Sequence, residues 1–263
     1  MMAFRYLIGF TILTICISGC SNTPVSQNMA GWYTMEQQVF TANGTETRID
    51  DGVQKKVYTD EYYAYTNMRE DSTASFGFGF YTFKNNILTE NNIFSTSLLD
   101  TAQNFQLGII PHETGYRQEI PEIIISGIPN KLVEEYTKIN FSKQSELDGV
   151  WKLAEYYTVS NGDTTWNKRD QYKIFQGGYF MFVQYYVDSL DNSKHKGFGF
   201  GNFDCSGTEL TETNIFSSFT ANNGVPLQIL IKKDSDTSYT QQIGAGSNSI
   251  AVEKYTRMPR LNK

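Results

Sequence analysis

A chain that says the same thing twice, in the same order, has few architectures open to it. "GFGFYTFKNNILTENNIF" runs from Gly77 to Phe94, and "GFGFGNFDCSGTELTETNIF" from Gly197 to Phe216. The likeness extends well beyond these runs. Gly31-Trp32-Tyr33 answers Gly149-Val150-Trp151, and Lys56-Val57-Tyr58 answers Lys173-Ile174-Phe175. Tyr62-Tyr63-Ala64-Tyr65 answers Tyr179-Phe180-Met181-Phe182. Tyr116-Arg117-Gln118 answers Tyr239-Thr240-Gln241, and Glu135-Tyr136-Thr137-Lys138-Ile139 answers Lys254-Tyr255-Thr256-Arg257-Met258. The offset stays between 117 and 123 residues. Solenoid units repeat every 20 to 50 residues or so; this period is the size of a domain. The reading is therefore two tandem domains, residues 29–141 and 147–258, each expected to fold as a separate unit. The polar run Asn140–Asp148, "NFSKQSELD", links them. The first copy carries 8 basic and 15 acidic residues, the second 10 and 12. Their surfaces are thus not expected to serve one identical partner.

Each copy reads as strands. "VYTDEYYAYTNM" and "YKIFQGGYFMFVQYYV" are aromatic and β-branched, which suits a pleated surface. In "SFGFGFYTF", Phe76, Phe78 and Phe80 share one face, and Gly77, Gly79 and Tyr81 the other. Glycines repeated on one face admit a close neighbour or a sharp bend. A turn follows, at Lys84–Asn86 or Asp204–Gly207, and then a second strand carrying Thr-Glu-x-Asn-Ile-Phe. No segment shows sustained helical periodicity. Short strands of this kind close into an antiparallel sandwich or barrel.

The first residues are read as lying outside the fold. Arg5 supplies a positive start, Tyr6–Ile17 is an apolar run too short to span a bilayer comfortably, and Ile17-Ser18-Gly19-Cys20 follows. The pattern resembles a bacterial lipoprotein signal. That resemblance implies a signal peptide over 1–19, cleavage before Cys20, acyl chains (palmitate among them) on Cys20, and a polar tether over 20–28. The implied protein is anchored to a membrane of the bacterial cell envelope, the outer membrane being the expected one. Several acyl chains make such anchoring stable. Without Arg5, 21 basic residues face 28 acidic ones, a balance of −7, and no basic footprint for nucleic acid is present. Cys205 is left alone, so no intramolecular disulfide can form and the core must hold the fold.

Glycine-x-aromatic on the opening strand, with a basic residue on the closing one, resembles the lipocalin-like (calycin-type) barrels. The small lipocalin-like domains of bacterial lipoproteins share the order seen here: a Gly-rich strand, a turn, a Thr-Glu strand and a closing Tyr-x-Arg/Lys. The resemblance covers both copies. It implies an all-β chain of two tandem antiparallel barrels, each with an aromatic floor residue stacked under a cation. The second copy has Trp151 with Arg257; the first departs, with Tyr33 and Lys138. Guanidinium stacks well on indole, and this pair is read as structural.

Chemistry is sparse. His112 and His195 occupy unmatched positions, read as loops, and neither has neighbours at metal-ligand spacing. Cys205 shows no partner base. No catalytic residue, metal or cofactor is expected. Glu90 and Glu212 stand out because both copies keep them. If Phe94 and Phe216 point into the barrels, these carboxylates share that face, and Gln118 and Gln241 would hydrogen-bond them. With one such carboxylate per copy, a two-carboxylate glycosidase arrangement is not supported. Glu90, Glu212, Gln118, Gln241, Tyr63 and Phe180 are the candidate contacts for a small apolar or amphipathic ligand in the barrel mouths. Two rivals stand beside that reading. One is a scaffold or interaction lipoprotein with filled barrels. The other is an isomerase or cyclase on a calycin-like barrel, using the glutamates and tyrosines as acids and bases.

Overall fold

The computed structural model describes residues 28–49, 52–70, 73–96, 103–125, 127–141, 143–188, 192–244 and 247–261. The expected signal segment and Cys20 lie outside them. The first copy forms β1 (Gly31–Ala42), β2 (Thr45–Ile49), β3 (Val53–Tyr58), β4 (Tyr62–Met68), β5 (Ala74–Lys84), β6 (Ile87–Ser95), β7 (Gln103–His112), β8 (Gly115–Ile125) and β9 (Ile128–Ile139). The second forms β10 (Gly149–Ser160), β11 (Asp163–Trp166), β12 (Arg169–Gln176), β13 (Tyr179–Val187), β14 (Lys194–Ser206), β15 (Glu209–Ser217), β16 (Pro226–Ser235), β17 (Ser238–Ile243) and β18 (Ser249–Arg257).

Both copies close the same way. β1 pairs antiparallel with β3 through its first residues and with β9 along most of its length, while β2 attaches only to its far end. β10 does the same with β12, β18 and β11. Each copy is thus an eight-stranded antiparallel barrel with one extra strand, and the pair is a calycin-like fold. The turns follow from composition. Asn43-Gly44 and Asn161-Gly162 take positive φ at both residues, as does Asn85-Asn86, the backbone that two-residue hairpins require. In the second copy the corresponding strand runs on to Ser206, so the turn is Gly207-Thr208 and not Asp204–Gly207.

The glycine strand answers the question its repetition raised. At Gly79 and Gly201 the partner strand carries a bulge: Phe78 faces Phe94 and Gly79 faces Asn92, leaving Ile93 as the extra residue. Phe200, Phe216, Gly201 and Asn214 repeat this around Ile215. A Cβ on Gly79 would lie 1.9 Å from the Asn91 carbonyl oxygen, and one on Gly201 2.0 Å from that of Thr213. By this register Gly77 corresponds to Gly199, two residues away from the match that starts both motifs at their first glycine.

The bulge also corrects an expectation. It switches the side-chain alternation between Glu90 and Phe94. Glu90 and Glu212 point inward, whereas Phe94 and Phe216 point outward, because an inserted residue breaks the strand period of two.

Three cores result. One fills each barrel, around Tyr58, Tyr63 and Tyr116 in the first and Phe175, Phe180 and Tyr239 in the second. The third lies between the barrels, built from their outer faces: Trp32, Phe76 and Phe78 on one side, Tyr172, Met181, Phe198 and Phe200 on the other. Phe78 stacks on Tyr172 with centroids 4.2 Å apart, and the Trp32 indole N–H donates to the Gln176 carbonyl at 2.8 Å. The chain's end crosses back: the Leu261 amide donates to Glu61 at 2.9 Å and the Tyr62 hydroxyl to the Pro259 carbonyl at 2.7 Å. Sequence reading expected independent units. The outward-facing residues of these strands are apolar, and each barrel covers the other's.

Candidate functional site in the barrel lumens

Lys56 lies on β3 two residues before Tyr58, so both face the lumen. Its ammonium reaches across to Glu90 on β6 at 3.1 Å and donates to the Gln118 side-chain oxygen on β8 at 3.3 Å. The Tyr58 hydroxyl donates to the same Glu90 oxygen. The Gln118 amide nitrogen donates to Glu134 on β9 at 2.7 Å, where the Tyr136 hydroxyl (2.9 Å) and the Gln38 amide (2.7 Å) also donate. Gln54 extends the chain of bonds by donating to the Tyr136 hydroxyl.

The second barrel repeats this with changes. Lys173 meets Glu212 at 2.6 Å across the lumen. Gln241 and the Tyr255 hydroxyl both donate to Glu253 at 2.6 Å, and Gln171 donates to the Tyr255 hydroxyl at 2.6 Å. Tyr156 stands where the first barrel has Gln38. Arg169 replaces the missing donor, reaching Glu253 at 2.6 Å with its guanidinium 3.8 Å from the Tyr156 ring centre. The first lumen thus holds one cation against two carboxylates, and the second holds two against two. Burial pushes the Glu212 carboxyl above its ordinary value; Lys173 opposes this and Glu253 adds to it. Burial likewise raises the Tyr58, Tyr116, Tyr136, Tyr239 and Tyr255 hydroxyls well above the usual phenol range.

Glu90, Glu212, Gln118, Gln241, Tyr63 and Phe180 are all buried and gather in the lumens. Gln118 and Gln241 bond Glu134 and Glu253, not Glu90 and Glu212, since each glutamine sits beside the closing strand. Sequence reasoning missed that second carboxylate, and the lysine. Glu134 is followed by Glu135, and the strand period of two sends Glu134 in and Glu135 out. Lys56 and Lys173 were visible as matched lysines two residues from a buried aromatic. Each lumen therefore carries two buried carboxylates where one was expected.

At the floor, the Arg257 guanidinium lies 4.3 Å from the Trp151 ring centre and Lys138 6.0 Å from that of Tyr33. Gly149 and Gly31, at φ +147 and +151, leave the room these cations occupy: a Cβ would sit 2.2 Å from Arg257 and 2.7 Å from Lys138. His112 and His195 lie at strand ends and not in loops. His112 is 3.8 Å from Glu135, and His195 stacks on Tyr186 with centroids 5.4 Å apart. Cys205 is on β14, half-buried. Among the described residues no three His, Cys, Asp or Glu side chains gather as metal ligands. Two surface hollows, a 450 Å³ groove bordered by Lys232 and Lys254 and a 160 Å³ cleft bordered by Tyr62 and Arg257, lie outside the lumens. No protein-family model matches the chain, and no curated protein matches it either.

Proposed function

We propose that the chain is a lipocalin-like lipoprotein of the bacterial cell envelope, held to the membrane by acyl chains on Cys20, whose barrels take up a small amphipathic molecule. The observation that carries the ligand reading is the lumen cluster. A buried ion pair is weak support for stability and is often replaceable by apolar side chains at no loss. Two barrels that have diverged at many positions both keep Lys, Glu, Gln and Glu among aromatic rings, the mixture a polar head and an apolar body would meet. The anchor rests on the run Ile17-Ser18-Gly19-Cys20 after a short apolar stretch. Cys20→Ala should leave the chain uncleaved or release it from membranes; unchanged mass and detergent partitioning would refute the anchor.

For the ligand, full-length protein is melted with and without fatty acids, sterols, quinones and porphyrins. Native mass spectrometry of protein from its own membrane is run beside it. A raised melt or a co-purifying mass is expected. The scaffold reading has its own support in the bonds that cross the lumens, Lys56 to Gln118 above all. It takes over if no compound shifts the melt and nothing co-purifies.

A further inference from the structure

The two lumens differ by a set of hydroxyls. Tyr58 and Tyr63 of the first barrel occupy the register positions of Phe175 and Phe180 in the second. In the first barrel these hydroxyls are spent within the protein. Tyr58 donates to Glu90 and lies beside the Tyr116 hydroxyl, and Tyr63 donates to the Asn92 side-chain oxygen at 2.5 Å. In the second barrel the groups they would serve remain, while the hydroxyls are gone. Gln241 and Tyr239 are each 1% exposed. Neither the Gln241 side-chain oxygen nor the Tyr239 hydroxyl has a hydrogen-bond partner among the described residues, and the Asn214 side-chain oxygen has none. Lys173, the counterpart of the lysine that bonds Gln118, is drawn to Glu212 instead. Buried polar atoms left without partners are rare in native proteins, and each calls for a cause. The Tyr116 hydroxyl of the first barrel is without a partner among the described residues too, so the contrast rests on Gln241 and Asn214, whose counterparts Gln118 and Asn92 accept bonds from Lys56 and Tyr63; Tyr239 itself packs on Trp151 and Tyr255.

We propose that the second barrel is the ligand-binding one and the first its structural partner, the ligand being a small amphipathic alcohol. Its hydroxyl takes the place the Tyr58 hydroxyl holds in the first barrel. There it accepts from Tyr239 and donates to Gln241 or Glu212, while its apolar body lies among the phenylalanine rings. An alcohol suits the site because the same oxygen must both accept and donate. The inference rests on the small-ligand reading above and adds which barrel and which chemistry.

The test uses full-length protein in detergent with benzyl alcohol as probe and toluene, which lacks the hydroxyl, as control, both followed by ligand-observed NMR. Wild type should bind benzyl alcohol at least tenfold tighter than toluene. Phe175→Tyr fills the oxygen position and should weaken benzyl alcohol binding tenfold or more. Tyr239→Phe removes one hydroxyl with little change of shape, so it guards against a misfolded Phe175→Tyr; it should weaken benzyl alcohol severalfold and leave toluene unchanged. Tyr58→Phe should open the same position in the first barrel and raise the stoichiometry from one to two. If Phe175→Tyr and Tyr239→Phe bind benzyl alcohol as wild type does, the ligand sits elsewhere and this inference falls, while the small-ligand reading stands on its own melts. If wild type does not bind benzyl alcohol and Phe175→Tyr only melts higher, the position holds water and the inference falls. If the fatty acids, sterols, quinones and porphyrins also fail, both readings fall together.

Discussion

Lys173 and Glu212 show how much a single buried side chain depends on its partner. Both are nearly inaccessible and lie 2.6 Å apart. Glu212→Gln keeps the shape but leaves the ammonium without a counter-charge, so a loss of ~3 to 5 kcal/mol is expected in urea melts. Lys173→Met with Glu212→Leu removes both charges and should be neutral or up to ~4 kcal/mol more stable. An unchanged midpoint for Glu212→Gln would mean the pair does not hold this geometry in solution. The pH dependence has a defined sign. Folding raises the Glu212 carboxyl above 4.5, so the folded chain holds that proton more tightly than the unfolded chain does. Its contribution to stability therefore falls as pH rises from 4.5 through the raised value. The double substitution should flatten that part of the curve, read from urea midpoints on either side of it.

Among the elements, the glycine strand and its bulged partner are the most demanding. Gly201→Ala drives a Cβ into the Thr213 carbonyl, a backbone atom that cannot step aside. The expected cost exceeds ~2 kcal/mol, in the range of substitutions that force special backbone geometry. Gly207→Ala, in the turn of the same hairpin at φ +60, meets nothing within 4 Å. Its cost is the left-handed penalty alone, ~1 kcal/mol. Thermal melts that rank Gly207→Ala as the worse of the two would place the bulge elsewhere. The bulge also sets what the hairpin can show each side: a carboxylate to the lumen and, four residues on, an aromatic ring to the other barrel.

In the whole molecule the barrels share a core between them. Fragments 29–141 and 147–258 expressed apart would expose Phe76, Phe78, Tyr172 and Phe200 to water. Each should aggregate or give poorly dispersed proton NMR, and mixing them should restore dispersion. Two well-dispersed fragments that release no heat on mixing would contradict a shared core. The barrels should also differ at alkaline pH. Tyr58, Tyr63, Tyr65, Tyr81, Tyr116 and Tyr136 in the first have raised hydroxyls through burial; in the second barrel's lumen Tyr239 and Tyr255 do. A raised folded value means stability that is intact below pH 10 and lost as pH rises past it. Tyrosinate absorbance from these residues should appear only with unfolding, and hydrogen exchange should report the first barrel opening at lower pH than the second.

The duplication, the strand pattern and the closed barrel were legible in the chain because each is local or repeats. Alternation along a strand, Asn-Gly turns and a glycine where a cation must pass all leave their mark within a few residues. The retained glutamates and glutamines were legible for the same reason, as identities surviving in both copies. Three things were decided only in three dimensions. One inserted residue at Ile93 and at Ile215 reversed a face, and nothing in the run of letters marks an insertion that both copies share. Glu134 and Glu253 became lumen carboxylates because their strand closes the barrel against β1 and β10, where they face Gln38 and Tyr156 from the far end of each copy. The outward aromatics of each copy became core because another barrel lies against them, and which surfaces meet depends on the summed shape of both barrels and not on any one segment.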